Sequence, residues 1–276
     1  MTIVLVLLAA CLLALVFWRY MDVRADRAAV AQLLAAQPAN PPRFDPAMVA
    51  QLPEPARRYL LYTIAPGTPL YTVVRIEMKG QLGLGTKSAP DYRPMRAWQV
   101  LASPHGFVWQ VKASIISGTD AATPMASWSR FRLLRLIPVA RAGFDENHMR
   151  SSFGRLIAEA VFWTPAAFLP GDGVRWEELD RDTARVHVAR SGLSQAVDVT
   201  VGSDGQPLRV SLARWTNANV DKAYRLQPFG GDLSRFCNFA GFRLPTCVEG
   251  GNLFGTDDYF PFFLADVVGI SFPGGT

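Results

Sequence analysis

The sequence is poor in cysteine, lysine and histidine, and it carries a single long hydrophobic run. Three cysteines are too few for a disulfide framework. Cys11 lies in the apolar N-terminus, and Cys237 and Cys247 can pair only if the fold brings them together. Ala240-Gly241 reads as a tight hairpin turn, which sets Phe239 opposite Phe242 and Cys237 opposite Leu244. Cys247 then falls on the other face of the strand, so a Cys237–Cys247 disulfide would need a bulge. His105, His148 and His187 fall in a turn, at a helix start and at an outward strand position. None is at metal-ligand spacing to another His, Cys or carboxylate, so they read as surface groups and no metal is expected. Without a Gly-x-Ser-x-Gly elbow, an α/β-hydrolase triad has no local support. There is also no Lys/Arg run of the kind that marks a nucleic-acid arm. The formal charge of +5, nearly all of it from arginine, suits an anionic membrane surface. No nucleic-acid partner and no cofactor are expected.

Gly80-Gln-Leu-Gly-Leu-Gly85-Thr-Lys87-Ser88 comes close to a phosphate loop. Thr86 separates the last glycine from the lysine, and Ser88-Ala-Pro-Asp offers no helix start to hold a phosphate, so the stretch reads as a glycine-rich hairpin end.

The hydrophobic run is Ile3 to Trp18, without a charge. As a helix it is roughly 24 Å long at about 1.5 Å per residue, slightly short of a bilayer core. Arg19 can snorkel, and Trp18 and Tyr20 suit the interface, so residues 1–21 read as a single transmembrane anchor. Leu8-Ala9-Ala10-Cys11 is an alternative lipoprotein processing box. It lacks a preceding basic residue, and so does a cleaved signal peptide. Arg19, Arg24 and Arg27 follow the span, which by the positive-inside rule favours a cytoplasmic body. Residues 22–43 read as an Ala-rich helix followed by a stiff, proline-rich linker, and residues 44–276 as one domain.

Asn147 to Pro170 organises that domain. Met149, Phe153, Leu156, Ile157, Ala160 and Trp163 form one apolar helical stripe. Arg155 and Glu159 pair one turn apart on the other side. Asp145 or Asn147 can cap the start, and Thr164-Pro165 breaks or restarts the helix. A second, short helix opens at Glu54-Pro55. Alternating strands flank the main helix. In Tyr71–Leu82, Thr72, Val74, Ile76, Met78 and Leu82 face one way. In Gly106–Ile115, Phe107, Trp109, Val111, Ala113 and Ile115 face inward. Arg93–Leu101 and Ala126–Val139 read as strands too, as do Val174–Glu178, Ala184–Arg190, Ala196–Val201 and Leu208–Trp215. Phe236–Phe239, Phe242–Glu249 and Tyr259–Phe272 close the chain. Short connections and polar outer faces imply an antiparallel meander. The fold class expected is α+β: a long antiparallel, half-barrel-like sheet covered by one main helix, with an N-terminal transmembrane helix.

Arg130, Arg132, Arg135 and Arg141 alternate with apolar residues, either cradling anionic headgroups or lying on an outer strand face. Asp266 interrupts an aromatic strand, where it is a catalytic carboxylate, the partner of an arginine or simply exposed. Glu177, Glu178, Asp180 and Asp182 cluster at a hairpin and read as solvated. Trp109, Phe131, Phe153, Trp163 and Phe168 are the candidate apolar ligand site.

Several segments together resemble a bacterial family of membrane-anchored proteins of unknown function. They are Leu52-Pro-Glu-Pro-Ala-Arg-Arg-Tyr-Leu60, Gly106-Phe-Val-Trp109, Leu134-Arg-Leu-Ile-Pro-Val139, Leu156-Ile-Ala-Glu-Ala-Val161, Leu169-Pro170, Val174-Arg-Trp176 and Gly241-Phe-Arg-Leu-Pro-Thr246. The C-terminal part departs from that pattern at Cys237, Cys247 and Asp257–Phe263. The expected architecture is similar to the half-barrel of periplasmic lipoprotein carriers. That likeness implies an extracytoplasmic body, against the vote of the arginines. The expected function is a membrane-tethered module, attached through residues 3–18. It would hold an apolar or lipid-like ligand, or a partner, between sheet and helix, with no catalytic residue assigned. The alternatives are an enzyme using Asp266 or Glu159 in the same cavity, and a structural envelope protein with a filled core.

Overall fold

The computed structural model describes residues 2–274. Helix α1 (Thr2–Leu34) is followed by a single 3-10 turn at Pro46–Val49 and by α2 (Glu54–Thr63). Six strands come next: β1 (Val73–Gly83), β2 (Tyr92–Ala102), β3 (Gly106–Ala113), β4 (Ile116–Ala122), β5 (Ser127–Leu133) and β6 (Ile137–Gly143). Helix α3 (Glu146–Trp163) leads into seven more: β7 (Val174–Asp180), β8 (Thr183–Arg190), β9 (Leu193–Val201), β10 (Pro207–Thr216), β11 (Arg225–Phe239), β12 (Phe242–Asn252) and β13 (Phe260–Ser271).

The strands make one antiparallel sheet in the order β6-β5-β4-β3-β2-β1-β13-β12-β11-β10-β9-β8-β7. Two meanders thus meet at the β1–β13 pairing in the middle. The chain leaves the first meander at one sheet edge and enters the second at the other. Helix α3 makes that crossing. At 18 residues it is about 27 Å long, and it lies over the concave face. Asp145 caps it through a 2.9 Å hydrogen bond from the His148 amide. Phe153, Leu156, Ile157, Ala160 and Trp163 are buried along its sheet side, as their spacing requires.

The alternation in β1 and β3 holds, with one exception. Ile115 is exposed, because β3 ends at Ala113 and the backbone turns at Ser114, where φ is 54°. Ala126–Val139 is two strands rather than one. Leu134 and Arg135, both at positive φ, reverse the chain between β5 and β6. The Ala240-Gly241 hairpin sets Phe239 opposite Phe242 and Cys237 opposite Leu244, as expected. Arg235 takes a positive φ, but the β11–β12 register is unchanged across it, so no bulge brings the thiols together and Cys237 and Cys247 remain free.

The convex face carries a second, smaller core. Helix α1 continues unbroken past the apolar run and lays Ala29 and Leu33 on Val73, Val100, Val108, Ala121 and Trp128. Residues 22–34, at the start of the segment expected to be a helix and linker, are therefore packed on the sheet. The arginines of β5 and β6 do lie on the outer face, but α1 covers them. Asp22 pairs with Arg130 (3.2 Å), Arg132 and Arg141 (2.7 Å). Asp26 accepts from Thr119 (2.8 Å) and Trp128 (2.9 Å).

Candidate functional site

Between α3 and the concave face lies a cavity of about 240 Å³. Trp109 and Phe131 come from the first meander, Phe229 and Leu233 from β11, and Phe263 from β13. Ala158, Phe162 and Trp163 roof it from α3. Glycines open the space. Gly231 and Gly250 face each other across the β11–β12 ladder, and Gly250 is also opposite Phe263 on β13. Both continue the inward series of Leu233 and Val248 without a side chain to fill it. On β4, Gly118 lets the Phe131 ring lie flat, since a Cβ there would meet the ring at 2.3 Å.

One end of the cavity is polar. Gln99, Trp109, Asp120 and Ser129 are successive cross-strand neighbours on β2 to β5, forming a transverse row on the inner face. Helix α3 lowers three charged or titratable side chains onto that row. Arg155 bonds Asp120 and also donates through Nε to Glu159 at 2.6 Å. Glu159 accepts a second hydrogen bond, 2.6 Å, from Gln99. His148 bridges Ser127 (2.7 Å) and Ser129 (3.0 Å), and Ser129 donates to Asp120 at 2.6 Å. Burial alone would lower the Arg155 pKa, but the charges of Glu159 and Asp120 hold it above the ordinary guanidinium value. Burial lowers the pKa of His148, with Asp120 and Asp145 opposing and Arg214 adding to the effect. His148 was expected at the surface. It is buried because the first turn of α3 sits directly on the serines of β5.

Arg214, from β10, completes the polar end. It crosses α3 at Gly154, where a Cβ would approach its stem to 3.4 Å. Among the described residues its hydrogen bonds go to the carbonyl and hydroxyl of Ser151 alone, at 3.3 and 3.4 Å. Burial, reinforced by the nearby charge of Arg155, pushes its pKa down to about 10. Three further polar atoms in this region lack a partner among the described residues: Trp109 Nε1, Trp163 Nε1 and Gln99 Oε1. A buried, unsatisfied donor costs about 1–3 kcal/mol.

Of the residues expected to line a ligand site, Trp109, Phe131 and Trp163 come together here. Phe153 instead lines a separate cleft at the start of α3, beside Met149 and Leu156. Phe168 is fully buried beyond the helix, where its carbonyl accepts from Trp176 at 2.8 Å. Phe162, Phe229, Phe263 and Arg214 were not anticipated. Arg214 follows Val210 and Leu212 at even spacing and so belongs to the inward series, but its charge argued for an outward position. Asp266 is paired with Arg235 on the surface and does not line the cavity. Glu177 pairs with His187, Arg175 and Arg185, also on the surface. No group of three His, Cys, Asp or Glu side chains suited to a metal occurs among the described residues.

Sheet, crossing helix and the cavity between them define an α+β protein whose concave face is built around one apolar space with a polar end. The chain belongs to the Family of unknown function (DUF6544), whose model matches residues 42–264. A comparison with curated proteins finds no match. Among solved structures, the chain is similar to a LolA superfamily protein from Nitrosomonas europaea. The two are 11% identical over 79% of this chain and 91% of that one, with a TM-score of 0.42. It is also similar to a domain assigned to outer membrane lipoprotein sorting from Vibrio parahaemolyticus. There the identity is 9% over 74% of this chain and 86% of that one, with a TM-score of 0.39.

Proposed function

We propose that the protein is a membrane-tethered binding module that holds an apolar or lipid-like ligand between its sheet and α3. The observation that carries this reading is the cavity itself: seven aromatic side chains around a space kept open by paired glycines. A solid core would fill that space, because interiors pack to the density of organic crystals. Its volume is slightly below the usual range for small-molecule sites, so it suits one short chain or ring system rather than a bulky ligand. The unpartnered indole N–H groups of Trp109 and Trp163 call for an acceptor oxygen on the ligand. The tether is α1, which is long and apolar enough to cross a membrane.

Mass spectrometry of lipid co-purified with the detergent-extracted full chain tests the reading directly. A stoichiometric apolar species is expected, and adding it back to delipidated protein should shift tryptophan fluorescence. Trp109→Ala should weaken that response. Protein free of any such ligand, with no response to a panel of fatty acids and phospholipids, would sink the proposal.

A further inference from the structure

Two turns of the first meander lie side by side at one end of the sheet. The β3–β4 turn carries Ile115 and the β5–β6 turn carries Leu134, and the Leu134 amide donates to the Ile115 carbonyl at 2.8 Å. Leu134 is 65% exposed and Ile115 57% exposed, with Ile137 and Val139 exposed beside them on β6. Leu134 and Arg135 are the central residues of a tight turn closed by the Leu136 amide on the Leu133 carbonyl, and both have positive φ. Folding alone favours Asn-Gly at such positions. A leucine there is costly to the backbone and leaves most of its side chain exposed.

Helix α1 leaves the sheet at this same end. Asp22 is fixed to Arg132 and Arg141, and one helical turn earlier Trp18 lies over the Arg141 guanidinium, 4.5 Å from its centre. Arg132 is two residues from Leu134, so Trp18 and the turns stand at the same level. From Trp18 back to Thr2 the helix runs clear of the body. Its uncharged part is a few ångströms shorter than a hydrocarbon core, which draws whatever lies at its end into the headgroup layer. Arg19, Lys112 and Arg135 line one groove there, beside Arg130 and Arg132, whose charges Asp22 already meets. That is the charge an anionic lipid surface attracts.

We propose that the Ile115 and Leu134 turns insert into the interfacial layer of an anionic bilayer, as a second membrane contact beside α1. This rests on α1 spanning that bilayer. The apolar turns continue the apolar surface of the helix, and the three unburied cations meet the headgroups. Because α1 is packed on the sheet, helix and turns together hold the body at one tilt to the membrane.

The test uses the full chain with its native cysteines replaced by serine and one new cysteine at a time: Leu134→Cys, Met125→Cys or Leu8→Cys. Met125 is the exposed turn at the opposite end of β4 and β5, and Leu8 is the middle of the apolar run. Each variant is labelled with an environment-sensitive fluorophore. It is then reconstituted into phosphatidylcholine–phosphatidylglycerol vesicles containing acyl-brominated lipid. Strong quenching is expected at positions 134 and 8, and none at 125. Quenching at 8 with none at 134 would overturn the second contact and leave the span intact. No quenching at 8 would overturn both.

Discussion

Asp26 on α1 accepts a 2.9 Å hydrogen bond from the indole N–H of Trp128 on β5. That contact, with the Asp22–arginine cluster one turn earlier, makes the N-terminal helix part of the folded body. The pairing joins residues more than a hundred positions apart, and it sets the direction in which the apolar half of the helix leaves the sheet.

Asp22 is the most exacting member of the cluster. Burial alone would raise its pKa. Hydrogen bonds from Arg141 and Arg132 and the charge of Arg130 together hold it below the ordinary carboxylate value. Asp22→Asn strips the charge from beneath three arginines and should destabilise the protein by about 3–5 kcal/mol. Arg27→Ala, on the exposed side of the same helix, should stay within about 0.5 kcal/mol. Denaturant titration in detergent micelles, followed by near-ultraviolet circular dichroism, separates the two. Equal effects would mean that the cluster does not hold the helix.

His148 gives the fold a pH dependence. Its folded pKa is lowered, mainly by burial, so below about 6.5 the unfolded chain takes up a proton that the native state refuses. The His148 contribution is therefore fully present above that pH. It is lost as pH falls from there towards the lower folded pKa, by at most about 1.4 kcal/mol per pH unit. His148→Gln should flatten this slope below about pH 6.5 while keeping hydrogen bonds to Ser127 and Ser129. A mutant with the slope of the wild type would show that another group titrates there.

Much of this architecture is legible in the sequence, for identifiable reasons. Helix α3 declares itself by a continuous stripe, and β1 and β3 by strict alternation, because each buries one face. Strand β4 does not. Its Ile-Ser-Gly-Thr-Asp-Ala-Ala sequence is small and polar, and both of its faces are covered: Ala121 lies under α1, while Asp120 faces the charged side chains of α3. The β5–β6 turn is hidden because Leu-Arg occupies a position that normally shows glycine or asparagine. Trp109, Phe131 and Trp163 could be read as an inner aromatic set. Gly231 and Gly250 could not, since a missing side chain leaves no periodic signal. The Asp22 and Asp26 contacts are long-range, and only their spacing of one helical turn on an alanine-rich helix hinted at a docking face.

The paired glycines offer a way to close the cavity without disturbing the backbone. A Cβ on Gly250 would meet only the Gly230 carbonyl oxygen, at an ordinary 3.5 Å, whereas one on Gly231 would strike the Glu249 oxygen at 2.1 Å. Gly250→Val should thus fold with stability within about 1 kcal/mol of wild type, the strand preference of valine offsetting small adjustments. It should also lose at least about 90% of co-purified ligand, an order-of-magnitude drop in affinity. Gly231→Val should fail to fold well. Ligand retained in full by a well-folded Gly250→Val would place binding elsewhere.

Glu159 distinguishes a structural carboxylate from one that meets the ligand. Its two oxygens are taken, one by Arg155 Nε and one by Gln99 Nε2, both at 2.6 Å, and its side chain is only 18% exposed. Glu159→Gln keeps an acceptor for Arg155, which also retains Asp120. The new amide would oppose the Gln99 amide as it stands. Gln99 Oε1, however, has no present partner, so a flip of that side chain lets it accept from the new N–H. The cost should therefore be moderate, about 1–2 kcal/mol. Glu159→Ala removes both acceptors beside a covered arginine and should cost roughly 3 kcal/mol or more. Ligand occupancy should survive Glu159→Gln, since the aromatic lining is untouched. Thermal melts and lipid mass spectrometry on the same preparations decide the matter. A variant that melts like wild type but arrives empty would make Glu159 a direct ligand contact.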